Sequence, residues 1–228
     1  MLHNPPLLTL HRGHKRPSRA IIEAFRNAQT GHVCDAMDGR GAVDWRIKPL
    51  APENAVFCGP AITAHAYPAD TVGMFGALHE AEAGDVILVA CDGYTGTAVL
   101  GDLAAGMMKN KGVAGFVTDG LARDKAGILA TRLPVFAMGV SPNSPARNGP
   151  GVVGLPITLG GVYVRPGDII VADADSVVVV PQDRAEAVLE ALAEVRAAEL
   201  VAEQKVREGA TMTGGMLPII AAAKIVLG

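Results

Sequence analysis

The chain has 228 residues, enough to bury a substantial core as one large or two small domains. Half are hydrophobic and only 4% aromatic, with Gly, Ala and Val abundant, a composition suited to a compact α/β protein packed from small side chains. Twenty Lys and Arg against 23 Asp and Glu give a formal charge of −3, which advertises no nucleic-acid partner, and no apolar run reaches the roughly 18 to 20 residues of a membrane span.

The opening stretch, MLHNPPLLTLHRGHKRPSRA, carries its basic residues after its short apolar run and no small-residue cleavage pattern follows, unlike a secretory leader. The expectation is a cytoplasmic protein. Ser18 can cap a helix in which Ile21, Ile22 and Phe25 share one face, so about 1–30 reads as a helical N-terminal segment. Strands are predicted over 56–64, 86–90, 115–118, 134–138, 152–158, 162–164, 169–172 and 177–180, and helices near 72–83, 102–111 and 183–208. The later strands follow one another without helices between them, which excludes a simple alternating βαβ chain and implies a mixed architecture. Asp173 and Asp175 read as turn residues, and Asp35 and Asp38 as caps. From about 183 the chain reads as a long helix plus an apolar tail, broken by Gly and Pro, that would dock on something. One domain over 1–228 is the expectation.

Spacing dismisses several motifs. GDLAAGMMKNKG lacks the Gly-Lys-Ser/Thr of a nucleotide-binding loop, HEAEA has Ala83 where a metalloprotease helix needs its second His, and no G-x-S-x-G elbow occurs. Cys34, Cys58 and Cys91 are odd in number and far apart, with no zinc-type spacing.

The segment 97–127 is different. Asp102 stands at the start of an Ala/Leu/Met helix that Gly112 can end, as N-cap or first-turn acid. A helix start also presents free N–H groups and partial positive charge, and the amides of Leu103 and Ala104 could hold a carboxylate. The strand GVAGFVT then runs into VTDGLARD, a strand end followed by an Asp-Gly turn, where open α/β sheets tend to put their sites. Asp119 reads as turn-forming, with Gly120 permitting the turn. Arg123 can grip a carboxylate or enolate in bidentate fashion, and Asp102 with Asp124 supply the one or two carboxylates by which Mg²⁺ is usually held. By spacing alone, a structural Arg–Asp pair remains the competing reading.

Asp102, twenty residues, then Arg123-Asp124 with Gly127 following, inside GDLAAGMMKNKGVAGFVTDGLARD, resembles the signature of the RraA-like class II pyruvate aldolases, such as 4-hydroxy-4-methyl-2-oxoglutarate and 4-carboxy-4-hydroxy-2-oxoadipate aldolases. The resemblance runs from about 30 to 195 through CGPAITAHAYPAD, EAEAGDVILV, LPVFAMGVSPNSP and PGDIIVADADSVVVVP. It implies a three-layer α/β/β sandwich of the swivelling β/β/α type with mixed sheets and a long C-terminal helix, assembled as a homotrimer or homohexamer with sites between subunits. It further implies that Asp124 ligates Mg²⁺ or Mn²⁺ directly and Asp102 through water, and that Arg123 binds the enolate oxygen. Gly101, Leu103 and Ala104 would hold the pyruvoyl carboxylate, Ala104 standing where relatives often have Leu. Glu199 would be offered to a neighbouring subunit. The substrate class implied is a small 2-oxo acid, with oxaloacetate decarboxylation as a second activity through the same enolate. Two alternatives stay open: a non-catalytic regulator of an RNA-degrading enzyme, and another enolising lyase or isomerase on an oxyacid. Tyr94, Thr95, Arg147 and Asn148 are loop residues that could contact the rest of the substrate.

Overall fold

A computed structural model describes residues 5–212 and 214–226. It begins with an edge strand, β1 (Leu8–Leu10), two short helices, α1 (Arg19–Phe25) and α2 (Thr30–Asp35), and a two-residue strand, β2 (Lys48–Pro49). An alternating half follows: β3 (Phe57–Ala66), α3 (Val72–Glu80), β4 (Val86–Ala90), β5 (Ala98–Leu100), α4 (Asp102–Asn110), β6 (Gly115–Thr118), β7 (Leu121–Ala122), α5 (Lys125–Thr131), β8 (Val135–Ala137) and β9 (Gly139–Val140). Then come β10 (Gly151–Val153), β11 (Ile157–Leu159), β12 (Val162–Val164), β13 (Ile169–Ala172) and β14 (Val177–Val180), the long helix α6 (Ala185–Arg207) and the short α7 (Met216–Ala221).

β3, β4, β6 and β8 lie parallel in that order, and α3, α4 and α5 are their crossover helices. These strands are almost wholly buried, which is why they read as continuous apolar runs rather than alternating ones. Alternation decides which layer each residue joins. Ile62, Ala64, Ile87, Val89, Phe116 and Val135 face Met74, Ala77, Ala105, Met108 and Ile128 of the three helices. Their neighbours Ala61, Val86, Leu88, Val117 and Phe136 face the second β layer, through Ile157, Leu159, Val164, Ile170 and Val179. The α/β/β sandwich with mixed sheets is therefore present, and its outer β face is covered in turn. Ile169, Val171, Val178 and Val180 pack under Phe25, Val33, Ala185, Val188 and Leu192 of α1, α2 and α6.

β3 joins the layers because it is ten residues long. Phe57–Pro60 pair with β13, Ala64–Ala66 with β10, and Ala61–His65 with β4. The run 152–158, expected as one strand, is two. Gly154 takes a left-handed φ of 82° and Pro156 follows, so the chain leaves the first sheet and starts a hairpin with β12. The N-terminal segment is only partly helical: residues 8–10 pair parallel with β10, and helix starts at Arg19, where Ser18 Oγ accepts the Ile21 N–H as expected. Asp173 takes the N–H and hydroxyl of Thr30 at the start of α2 and the N–H of Asp175, the turn and capping chemistry read from DADS.

Only the first half of α6 is packed. Leu200, Val201 and Val206 are exposed, as are Leu217, Ile219 and Ile220 of α7. The remainder of the expected docking tail includes Thr213, Leu227 and Gly228, which lie outside the described residues. No helix among the described residues is long and apolar enough to cross a membrane.

Candidate active site

Above the C-terminal ends of the parallel strands sits a second, small sheet in the order β5-β7-β9, all parallel. Each of its strands comes soon after β4, β6 or β8, so it carries the outgoing connections of the main sheet. The Arg123 N–H extends its pairing by donating to Leu100 O at 2.8 Å. That bond sets the RD pair of the 117–124 stretch beside residues 100–102, across twenty residues of sequence.

Gly101 is the N-cap of α4, so Asp102 is the first-turn acid rather than the cap. A Cβ on Gly101 would stand 2.9 Å from Asp124 Oδ2 and 3.0 Å from Arg123 Nε. Only a residue without a side chain lets both groups close over the helix start. Gly127 has the same relation to Asp102, whose Oδ2, Cβ and Cγ lie 2.5, 2.6 and 2.9 Å from where its Cβ would be. Asp102 is thus seated on the first turn of α5, three positions beyond Asp124. Each acid is thus seated against a glycine at the other's helix start, Asp124 over Gly101 and Asp102 over Gly127.

Asp124 has φ 55° and ψ 43°, a left-handed conformation that Asp tolerates better than most residues, and no helix N–H is capped by its carboxylate. The carboxylate is left for Arg123, whose Nε is 3.2 Å from Asp124 Oδ2. Arg123 Nη1 also donates to Ser144 Oγ. With its orientation held at two points, the guanidinium keeps the rest of its five N–H donors for a ligand.

A cavity of about 210 Å³ opens here, lined by Gly101, Asp102, Leu103, Ala104 and Arg123 on one side. Thr71, Met74, Phe75, Ser144, Pro145 and Arg147 form the rest of the wall with Val99 and Leu100. The Ala105 N–H is the first to close the helix, onto Gly101 O, so the amides of Leu103 and Ala104 precede the ladder. The Leu103 N–H donates to Asp102 Oδ1 at 2.7 Å. Among the described residues no group of three or more His, Cys, Asp or Glu side chains is placed to share a metal ion.

Of the loop candidates, Arg147 alone lines this cavity, its guanidinium 5.6 Å from the centroid of the Phe75 ring. The backbone of Asn148 is tied to Asp70, and Tyr94 and Thr95 lie outside the lining. Asp119 is buried and accepts the N–H groups of Cys91 (2.7 Å) and Gly93 (3.0 Å), fixing the loop that leads to β5. Burial, reinforced by Asp119, pushes the Cys91 thiol up to about 12. Gly120 is there for closeness, since a Cβ would come within 2.5 Å of Cys91 Sγ; its φ is not left-handed. Glu199 is exposed on α6 and does not line the cavity. Ser144 and Phe75 were missed from sequence; Ser144 lies in LPVFAMGVSPNSP, but nothing local marks it as the partner of Arg123.

The model of the Aldolase/RraA family matches residues 30–179, about two thirds of the chain and all of the cavity wall just described. The chain belongs to the RraA-like family. A relative from Halalkalibacterium halodurans, provisionally named a 4-hydroxy-4-methyl-2-oxoglutarate aldolase, is 40% identical over 170 residues, 75% of this chain and 80% of its own. Among solved structures, an uncharacterized protein from Pseudomonas syringae superposes with a TM-score of 0.76 at 25% identity, covering 87% of this chain and 97% of that one. An unusual member of the RNase ES inhibitor RraA protein family from Streptomyces coelicolor gives 0.75 at 26%, covering 83% of this chain and all of that one.

Proposed function

We propose that this chain is a divalent-metal-dependent lyase that cleaves 4-hydroxy-2-oxo acids, of the 4-hydroxy-4-methyl-2-oxoglutarate or 4-carboxy-4-hydroxy-2-oxoadipate type, to pyruvate and a second oxo acid, and that decarboxylates oxaloacetate. The observation that carries this reading is the meeting of Arg123, Asp102 and the α4 amides at one cavity, with Asp124 closed against Gly101. The name given to the relative from H. halodurans supports the same choice.

Asp124 and Asp102 would hold Mg²⁺ or Mn²⁺. Two carboxylates, with water and substrate oxygens completing the shell, suit these ions better than a site demanding three or four protein ligands. When bound, the ion supplies Lewis acidity toward the 2-oxo group. The protein does the rest. The Leu103 and Ala104 amides bind the pyruvoyl carboxylate, and for this Asp102 must release the Leu103 N–H it accepts. The C3–C4 bond then breaks. Its electron pair forms the C2–C3 double bond of the enolate, the 2-oxo oxygen takes the negative charge, and the C4 hydroxyl loses its proton to a base as C4 becomes a carbonyl. Arg123, oriented by Asp124 and Ser144, donates to that oxygen as it becomes charged, a contribution of about 3 to 4 kcal/mol for one well-placed donor. In oxaloacetate the departing group is carbon dioxide and the enolate is the same.

Assembly as a homotrimer or homohexamer, with Glu199 reaching a neighbour's cavity, belongs to the same proposal; the exposed Leu200, Val201 and Val206 of α6 support it. Light scattering on the purified protein tests it. The chemistry is tested by pyruvate release from oxaloacetate and from 4-hydroxy-4-methyl-2-oxoglutarate, with Mg²⁺ and with excess EDTA, in wild type and Asp124→Ala. Release that needs metal and is lost in Asp124→Ala is the expected result. Absence of release from a folded wild type overturns the reading. It would favour the second one, a regulator of RNA processing, which rests on the names of solved relatives from Streptomyces coelicolor and Thermus.

A further inference from the structure

We propose that Arg147 reads a distal carboxylate on the half of the substrate that leaves as the second product, so that the cavity selects dianionic over monoanionic 2-oxo acids. The inference rests on the lyase reading above and goes beyond it to a specificity-determining residue.

The cavity holds two arginines in opposite situations. Arg123 is paired with Asp124 and bonded to Ser144. Arg147 forms no ion pair or side-chain hydrogen bond among the described residues, although it lines the same cavity. Its guanidinium meets the Phe75 ring, 5.6 Å away, which orders the cation without neutralising it.

The backbone beneath Arg147 is pinned on both sides. Ala146 N–H donates to Ala69 O at 2.7 Å, and Thr71 N–H to Ala146 O at 3.2 Å. On the other side, the buried Asp70 carboxylate accepts the N–H groups of Asn148 at 2.6 Å and Gly149 at 3.0 Å. Asp70 also accepts the N–H of Val72, at the start of the helix that carries Phe75. One buried carboxylate therefore sets both the cation and the ring on which it lies. Such a support fixes the point on the cavity wall from which the exposed Arg147 side chain extends.

Charge gives the same answer. Asp102, Asp124 and a divalent ion cancel, leaving Arg123 to balance the single carboxylate of a pyruvoyl group. Arg147 is a further positive charge with no acid paired to it among the described residues, for which a second substrate carboxylate competes with the Glu199 proposed to arrive from a neighbouring subunit. A second carboxylate, gripped by the planar fork, matches it.

The test uses two non-cleavable probes with the same 2-oxo acid end, 2-oxoglutarate and 2-oxobutyrate, which differ by one distal carboxylate. Affinities are measured calorimetrically with Mg²⁺ present on wild type, Arg147→Ala and Arg147→Lys. Wild type is expected to prefer 2-oxoglutarate by about 10- to 100-fold, the range of a charge-assisted hydrogen-bond pair. Arg147→Ala should remove most of that ratio, and Arg147→Lys, keeping the charge without the fork, should keep part of it. A wild-type ratio near one, or a ratio that survives in Arg147→Ala, overturns the assignment. Exchange of pyruvate methyl protons into D₂O by wild type tests the lyase reading separately, because it needs the pyruvoyl end alone: failure there with the probe ratio intact overturns the chemistry and leaves Arg147 as a ligand-reading residue.

Discussion

Gly127→Ala asks whether the seat of Asp102 on α5 matters. Gly127 lies inside a helix with ordinary φ, so alanine by itself should help, by about 0.5 to 1 kcal/mol. The new methyl, however, would sit 2.6 Å from Asp102 Cβ, where carbon atoms prefer roughly 3.5 to 4.0 Å. Rotating the Asp102 side chain cannot cure a clash with its own Cβ, so α4 and α5 must separate by about 1 Å. Overpacking of this kind costs about 1 to 3 kcal/mol, giving a net loss of up to about 2.5 kcal/mol and a Tm lower by up to about 10 °C. A 1 Å displacement within a catalytic constellation is worth about 100-fold in rate. The assay pairs a thermal melt with the oxaloacetate decarboxylation proposed above, run with Mg²⁺ present, and its control is Gly106→Ala, in α4, where a Cβ meets nothing within 4 Å. Gly106→Ala should raise Tm by about 1 to 4 °C and leave turnover within about twofold. Turnover in Gly127→Ala as high as in Gly106→Ala would refute the claim that the glycine positions Asp102.

Arg16→Ala should cost about 1 to 3 kcal/mol, seen as a lower Tm, because the buried Asp85 would lose two bonds, at 2.5 and 2.8 Å, to a partner that is itself about a third exposed. Asp119→Ala leaves the N–H groups of Cys91 and Gly93 without their acceptor, and hydrogen exchange should speed up in 91–97 ahead of the rest of the sheet. Burial pushes the thiols of Cys58 and Cys91 up to about 12, so both stay protonated far above neutral pH. A disulfide reagent at pH 8 should therefore label at most Cys34 in the native chain, and all three cysteines after denaturation; labelling of two native thiols would contradict the burial.

The parallel strands, α3 and α4 were legible because each is a continuous apolar run or a 3.6-period face, whereas α5, seven residues long, carries too few turns to show a period and was not read as a helix. Asp102 and Arg123-Asp124 were legible as a spacing for a related reason: helix start and turn belong to consecutive βα units, so one pairing, Arg123 N–H to Leu100 O, closes the gap between them. The short strands β5, β7 and β9 were invisible, since two or three residues carry no period. Gly101 and Gly127 could be seen, but their reason could not, because it lies in side chains reached only through the fold. The same holds for Ser144, Phe75 and the role of Arg147: Phe75 comes from α3, and Ser144 and Arg147 from the one connection between β9 and β10. The N-terminal strand was hidden by its basic neighbours, and its pairing partner lies far along the chain.

The pairing of β1 with β10 also sets an order of assembly on the ribosome. The pairings β3–β4, β4–β6 and β6–β8 join near neighbours and can form as the strands emerge, while β3 must wait for its further partners β10 and β13. Leu8 must wait for Gly151, and Thr30 waits 143 residues for Asp173. Until then Gly76 of α3 lacks both Leu8 and Val153, which close over it, and the apolar edge there is bare. Contacts of such long separation slow folding. The pairings around Asp102, Arg123 and Asp124 are thus short in sequence, while the chain becomes a closed body only when its first strand finds β10.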